Sequence, residues 1–246
     1  MEQREIVVSS GRAYKVEVIS VPTRTASARV KDGRIVIRVP QMLRGSAADE
    51  MLEDLKRRMV RSLEKHPERF EYRKFSITQG QGMTALGRHF VIDACEAAGR
   101  YSTACIDGGV VRVRLAAGLG QEERGRALTK LAVRCISRSL LPELAQRVER
   151  INIAHFNAGI GGTRIRNNST RWGSYSARSR RITINFRLLL APEEILDYVI
   201  IHELAHARVS NHSRRFWKLV GSVLPDYRDR RRWLRINGDR LGQSQS

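Results

Sequence analysis

Apolar and polar positions alternate along several stretches of the chain, as they do in strands with one buried face. Such runs are "YKVEVISV" (14–21) and "RIVIRVP" (34–40) near the start, followed by "RHFVIDA" (88–94) and "VVRVRLA" (110–116). Because this period of two places successive side chains on opposite faces of a sheet, each run predicts a strand. The intervening stretch 78–87, which contains Gly and Gln, is expected to be a loop.

Other stretches space their apolar residues at helical intervals. Residues 46–66 follow this pattern and open with a serine, which predicts an amphipathic helix. A longer helical segment covers about 121–150, where Pro142 is expected to interrupt or kink it. The last third returns to strand patterns at 163–167 and 180–186.

These elements predict an α+β protein with two lobes. Residues 1–110 are expected to form an N-terminal β-rich lobe with one helix, residues 111–240 a C-terminal lobe, and residues 241–246 a flexible tail. Residues 169–179, between the last two strands, read as a loop. The sequence shows no internal repeat.

Composition indicates a globular protein of the cytoplasm. The chain has 246 residues, 41% of them hydrophobic, and no apolar run near the roughly 18 residues that a membrane span needs. The N-terminus lacks the apolar core of a secretory signal. The three cysteines form no Cys-x-x-Cys pair, which fits a reducing compartment better than disulfides.

The net charge of +20 bears on possible partners. Arginine carries most of it, with a dense stretch "RDRRRWLR" at 228–235. A basic surface can bind nucleic acid or another polyanion, or it can simply be solvated. No recognised nucleic-acid-binding motif is present, which slightly favours a solvated surface over a binding surface. Nucleic acid is kept as the alternative partner.

The candidate chemistry lies in "HELAHARVSNH" (202–212), which holds three of the six histidines in the chain. The preceding residues predict a strong helix over 191–209. On a helix His202 and His206 point the same way and can bind one metal ion. Glu203 then lies beside the ligands, where it can take a proton from a zinc-bound water.

A catalytic zinc ion needs a third protein ligand and an open fourth position. His212 can supply this ligand if the chain turns at Ser210 and Asn211 and a new helix begins after Ser213. Asp226 is the alternative third ligand. Imidazole is the stronger zinc ligand of the two, which favours His212.

Four motifs in this order give the chain a resemblance to a known family. They are "TRWGSYS" (170–176), "ITINFRLLLAPEEILDYVIIHELAH" (182–206), "NHSRRFW" (211–217) and "PDYRDRRRWL" (225–234). With them the chain resembles the YgjP-like metallopeptidases, which are related to the SprT-like and WLM (Wss-type) proteases. The resemblance implies a zincin-like, gluzincin-type lobe with an HExxH active-site helix. It also implies Zn²⁺ bound by His202, His206 and His212, with Glu203 as the catalytic base.

The resemblance also suggests contacts with substrate or transition state. Tyr175 stands where the family usually has cysteine, so any thiol role is absent; its phenol could donate to a developing oxyanion or simply pack. Arg171 could serve the substrate or pair with a carboxylate. Asn185 and Arg187 follow the strand that borders the cleft in zincins, and they contact substrate or make structural hydrogen bonds. Trp217 is expected to pack the last helix against the active-site helix.

Two functions of different classes follow. The first is a zinc metallopeptidase that hydrolyses peptide bonds of a peptide or protein substrate. The second is a basic, nucleic-acid-associated protein, either a protease of DNA-linked proteins of the SprT type or a non-catalytic zinc-binding module. Glu203 discriminates between them, because a structural zinc site has no use for a general base.

Overall fold

The computed structural model has a mixed α+β architecture, which confirms the predicted class. It describes residues 2–9, 12–31, 34–43, 45–65, 75–168 and 171–242. Within these ranges there are eleven strands and five α-helices. The chain divides into two compact units, residues 1–74 and 75–246. None of the described helices is long and apolar enough to span a membrane.

The first unit is a four-stranded sheet with one helix. Its strands have the order β1-β2-β4-β3, with β2 and β4 parallel and the outer pairs antiparallel. Tyr14, Val16, Ile35 and Ile37 face Leu63 of the helix and form the core. The elements are β1 (Glu2–Ser9), β2 (Arg12–Val21), β3 (Ser27–Lys31), β4 (Arg34–Pro40) and α1 (Ser46–Lys65).

The second unit begins with the same topology. Its first sheet has the order β5-β6-β8-β7, again with a parallel central pair and antiparallel outer pairs, and a helix follows. The arrangement of four strands and a helix therefore occurs twice, although the sequence shows no repeat. The elements are β5 (Gly82–Ala85), β6 (Arg88–Ala97), β7 (Thr103–Asp107), β8 (Val110–Ala116) and α2 (Gln121–His155).

The rest of this unit is a three-stranded sheet followed by three helices. The strand order is β10-β11-β9, so β10 is an edge strand and β11 is central. A 3₁₀ helix (Phe186–Leu190) joins the sheet to α3, and a second (Gly238–Arg240) follows α5. The elements are β9 (Gly162–Arg166), β10 (Gly173–Ser176), β11 (Arg181–Asn185), α3 (Glu193–His206), α4 (Arg214–Val223) and α5 (Tyr227–Asn237).

Helix α3 is the buried centre of the second unit. Nine of its fourteen residues are buried, and it packs against α2, α4, α5 and β10. Arg147 of α2 stabilises the position of α3 by donating hydrogen bonds to both carboxylate oxygens of Asp197, at 2.6 and 3.0 Å, and to Glu193 at 2.7 Å. A helix held on several sides is a rigid platform for the side chains at its end.

The predicted strands at 14–21, 34–40, 88–94 and 110–116 are confirmed, and so is the helix predicted at 46–66, of which residue 66 lies outside the described residues. Both predicted loops contain a strand: β5, in which Met83 and Ala85 are buried, and β10, in which Tyr175 packs against the core. Helix α2 runs through Pro142 without interruption, since its buried face continues from Leu140 to Leu144.

The boundary between the compact units lies at residue 74, whereas the sequence placed a lobe boundary after residue 110. That residue falls within β8, which is paired with β6 and β7. As a division of function between lobes, the boundary at 110 stays a prediction.

Candidate metal centre

Three histidine side chains converge at the end of α3. His202 and His206 lie one turn apart in its last turns, and His212 lies in the turn just before α4. The Nε2 atom of His212 is 2.9 Å from Nε2 of His202 and 3.2 Å from Nε2 of His206. The possible ligand atoms of all three lie within 4.8 Å of one another.

The turn between His206 and His212 is fixed by hydrogen bonds. The backbone N–H groups of Arg208 and Val209 both donate to the carbonyl of Ala205, at 3.0 and 2.9 Å. The Arg208 guanidinium donates to the carbonyls of Phe156 (3.2 Å) and Asn157 (3.0 Å), in the segment that follows α2. The chain therefore leaves α3 in one direction and returns at His212.

The tautomer of His206 follows from its partner. Its Nδ1 lies 3.2 Å from the carbonyl oxygen of Val209, which can only accept, so Nδ1 carries the proton. Its Nε2 consequently presents a lone pair to the other two imidazoles. This is the arrangement of a metal-ligating histidine, whose other ring nitrogen donates to a carbonyl or carboxylate.

The donor set fits a zinc ion. Three nitrogens bound to zinc at tetrahedral angles, about 2.0–2.1 Å from the metal, lie about 3.3 Å from one another. The two measured separations, 2.9 and 3.2 Å, are close to this value. Nitrogens this close share either a ring proton, as in a hydrogen bond, or a cation between them. The buried Nδ1 of His202 has no hydrogen-bond partner within the described ranges, so His202 is not held by hydrogen bonds of the core.

The electrostatics favour neutral imidazoles, the form that binds metal. Burial, reinforced by His206, His212 and Arg231, lowers the pKa of His202 to about 3. Burial also lowers the pKa of His206, against the opposing effect of its hydrogen bond to Val209. Both rings are therefore in the neutral form at neutral pH, so that each has one ring nitrogen able to bind a metal ion.

Glu203 is buried beside the cluster, with 5% of its surface exposed. Burial raises the pKa of its carboxyl to about 7, although a hydrogen bond from the backbone of Tyr175 and the positive charge of Arg171 both act to lower it. Gly173 lies directly against this side chain: a Cβ atom there would be 2.6 Å from Oε1 and 2.8 Å from Cγ of Glu203. The absence of a side chain at Gly173 makes room for the carboxylate.

A cavity of about 390 Å³ gives access to the cluster. Its lining includes the three histidines and Glu203 on one side and residues of edge strand β10 on the other. Arg171, Tyr175 and Ser210 also line it. A ligand in this cavity can reach the histidines, the carboxylate and the strand edge together.

Aromatic rings support His212, the most exposed of the three histidines. Its ring stacks on Trp217 of α4, with centroids 5.7 Å apart and an interplanar angle of 24°. Trp217 in turn stacks on Tyr227 of α5 at 5.3 Å and 16°, and the Arg231 guanidinium lies 4.9 Å from its ring centroid. The predicted packing of Trp217 is confirmed, and it extends from His212 to α5.

The remaining candidates lie in different environments. Arg171 and Tyr175 line the cavity, but Tyr175 reaches Glu203 through its backbone. Asn185 is buried and donates to the carbonyls of Asn168 (2.7 Å) and Arg171 (2.8 Å). Arg187 is buried and donates to the carbonyls of Leu241 (3.2 Å) and Gly238 (2.7 Å). Substrate contact by Asn185 and Arg187 stays a prediction, and the contacts seen here are structural.

Two expectations change in detail. The strand before Asn185 is the central strand β11, paired on both sides, so it cannot also pair with a peptide; the strand along the cavity is β10. Asp226, the alternative third ligand, accepts a 2.9 Å hydrogen bond from Arg230 and is not part of the histidine cluster.

The sequence did not indicate Gly173, the N–H of Tyr175 or the carbonyl of Val209 as parts of the site. Backbone groups leave no signature in residue type. Gly173 had a weak signal, since glycine inside a strand often marks a close approach of other atoms.

Fold and site define a mixed α+β protein with a candidate three-histidine metal centre and an adjacent buried carboxylate. The chain matches the family model "YgjP-like, metallopeptidase domain" over residues 24–237 and belongs to that family. The resemblance inferred from the motifs is thereby confirmed.

Two solved structures show limited similarity. The metallopeptidase zymogen jannalysin of Methanocaldococcus jannaschii is 24% identical, with a TM-score of 0.33, over 37% of this chain and 91% of that one. The metallopeptidase zymogen abylysin of Pyrococcus abyssi is 30% identical, with a TM-score of 0.32, over 40% and 92%. No curated protein matches the chain. The assignment rests on the family match.

Proposed function

We propose that this protein is a zinc-dependent peptidase in which His202, His206 and His212 bind the metal and Glu203 is the general base toward a zinc-bound water. Membership of a metallopeptidase family supports peptide-bond hydrolysis. The observation that carries the proposal is the convergence of three Nε2 atoms, 2.9 and 3.2 Å apart, in the cavity that Glu203 also lines.

When bound, zinc lowers the pKa of a coordinated water to about 7 and polarises the substrate carbonyl. The protein supplies three neutral imidazoles, and the Val209 carbonyl orients one of them. His202, His206 and His212 would hold the ion with three protein ligands, which is the number that a catalytic zinc site uses.

Glu203 suits the role of proton carrier. A general base works best when its pKa is near the working pH, and burial raises the pKa of this carboxyl to about 7. A nearby divalent cation favours the carboxylate form, which is the form that accepts a proton. After the attack on the carbonyl carbon, the same carboxyl can deliver that proton to the leaving nitrogen, so that water is added across the peptide bond.

The edge strand β10 offers a place for an extended substrate. It has one neighbour, β11, within the described part of the sheet, and it borders the cavity. The Tyr175 N–H on this strand donates to Glu203, and the N–H and C=O groups of the edge that have no such partner can pair with an added strand.

The proposal is tested with purified protein and a mixture of unstructured peptides. Cleavage should stop when a chelator removes the metal and return when zinc is added back. Elemental analysis should find about one zinc per chain, and His212→Ala should bind it much more weakly, whereas the matched variant Asp226→Ala should not. Metal-independent cleavage, or zinc lost only in Asp226→Ala, contradicts the assignment.

A second candidate is association with nucleic acid, in one form as a protease of DNA-linked proteins. The favouring observation is the charge of +20 together with exposed arginines at helical spacing on α5, namely Arg228, Arg231, Arg232 and Arg235. Binding through these side chains should weaken steeply with salt, with a slope of about −0.9 per neutralised phosphate. If the protein binds DNA in this way and hydrolyses no peptide, the non-catalytic form of this candidate replaces the peptidase.

A further inference from the structure

Arg171 is held at the wall of the candidate metal centre by its backbone. Its carbonyl accepts a 2.8 Å hydrogen bond from the side chain of Asn185, and the carbonyl of Trp172 accepts one of 2.8 Å from the backbone N–H of Asn185. Asn185 is only 2% exposed, so this anchor belongs to the rigid core. The side chain of Arg171, in contrast, is exposed and lines the cavity.

The charges around the cavity leave this guanidinium available. Among the described residues Arg171 has no carboxylate within ion-pair distance, although its positive charge acts to lower the pKa of Glu203. Glu203 is the one acidic residue in the lining as described, and it is buried against Gly173 and the backbone of Tyr175. A bound divalent cation would make the cavity more positive still.

The wall beside Arg171 also leaves space. Ser174 and Ala177, which line the same cavity, have small side chains and leave room for a ligand group. An arginine side chain is a planar fork of five donors that binds a carboxylate through two parallel hydrogen bonds. The position of Arg171, its charge and the space in the cavity therefore all favour a carboxylate as its ligand.

We infer that Arg171 forms a subsite for a carboxylate of the substrate, so that the enzyme prefers peptides with an acidic group next to the bond that it cuts. The group is an Asp or Glu side chain or a free C-terminal carboxylate. This inference rests on the proposed peptidase function and adds a substrate class to it.

The test uses the zinc-loaded full chain and two peptides built on a cleavage site found by mass spectrometry. The peptides differ only in Glu or Gln beside the cut bond, and each is made with a free and with an amidated C-terminus. The measured quantity is the ratio of kcat/KM for the acidic peptide to that for its neutral partner. The amidated forms separate a side-chain carboxylate from a terminal one.

The wild type should favour the carboxylate about tenfold, as expected for one charge-assisted hydrogen-bonded contact. Arg171→Gln should bring the ratio close to one, and Arg171→Lys should keep part of it. The matched control Arg178→Gln removes an exposed arginine of the same hairpin that does not line the cavity, and its ratio should equal that of the wild type.

A wild type that cuts both peptides equally overturns the inference and leaves the peptidase intact. A preference that survives in Arg171→Gln, or that disappears equally in Arg178→Gln, overturns it as well. A zinc-loaded wild type that cuts no peptide refutes the proposed function, and the inference falls with it.

Discussion

Replacing Gly173 with alanine should disable hydrolysis while zinc stays bound. The added Cβ would lie 2.6 Å from Oε1 and 2.8 Å from Cγ of Glu203, and 2.9 Å from Cγ1 of Val199. Carbon atoms in contact are normally about 3.5–4.0 Å apart, so something has to move by nearly 1 Å. Val199 is in the rigid core of α3, which leaves the Glu203 side chain as the group that is displaced.

The size of the effect follows from this displacement. Overpacking of a core position by one methyl group costs about 1–3 kcal/mol, so the variant should fold with a lower melting temperature. A misplacement of about 1 Å in a reacting group lowers the rate about hundredfold. The atoms nearest to the added Cβ belong to Glu203 and Val199 and not to a histidine, so zinc binding should be kept.

The assay compares kcat, zinc content and melting temperature for Gly173→Ala and for a control, Gly161→Ala. A Cβ at Gly161 would meet the backbone carbonyl of Ser179, in the turn of the β10–β11 hairpin and at the other end of β10 from Gly173. The control should lose stability and keep kcat. A Gly173→Ala enzyme with kcat within twofold of the wild type would refute the idea that this glycine makes room for the base.

Two further predictions concern the ligands and the base. Trp217→Ala should weaken zinc binding by about 10–100-fold, measured in competition with a chelator, because His212 loses the ring on which it stacks. Trp217→Phe should restore most of the affinity. Equal zinc affinities for the wild type and both variants would contradict a role of Trp217 in holding His212. In the metal-free protein, Glu203→Gln should increase the free energy of unfolding at pH 8 but not at pH 4.5. The pKa of Glu203 in the folded state, about 7, lies above the ordinary value of 4.5, so the buried carboxylate destabilises the folded state only as the pH rises through this window, by up to about 3 kcal/mol. Urea unfolding of both proteins at both pH values measures the difference in free energy of unfolding. A difference that does not depend on pH would contradict the prediction.

The parts of the site that side chains specify could be predicted from sequence. The four-residue spacing of His202 and His206 fixes their common direction on a helix, and the Ser210–Asn211 pair indicates where the chain can turn to return His212. Long periodic elements such as α1, β2 and β4 were also predictable, because their buried faces repeat at a fixed interval.

What could not be predicted depends on atoms that the sequence does not distinguish. The N–H of Tyr175 and the carbonyl of Val209 orient Glu203 and His206, and every residue except proline has both groups. β10 has only four residues, too few to show a period, and the resemblance to zincins assigned the cleft border to the strand before Asn185, which is β11. Pro142 was expected to interrupt or kink α2, but the helix continues through it with buried residues on both sides of the proline.

The most direct measurement of the central claim is peptide hydrolysis by Glu203→Gln with zinc content determined on the same sample. The amide keeps the size of the side chain but cannot accept the proton from water. We predict about one zinc per chain and a kcat at least about hundredfold below that of the wild type, as expected for loss of a general base. Hydrolysis at the wild-type rate by the zinc-loaded variant would contradict the account.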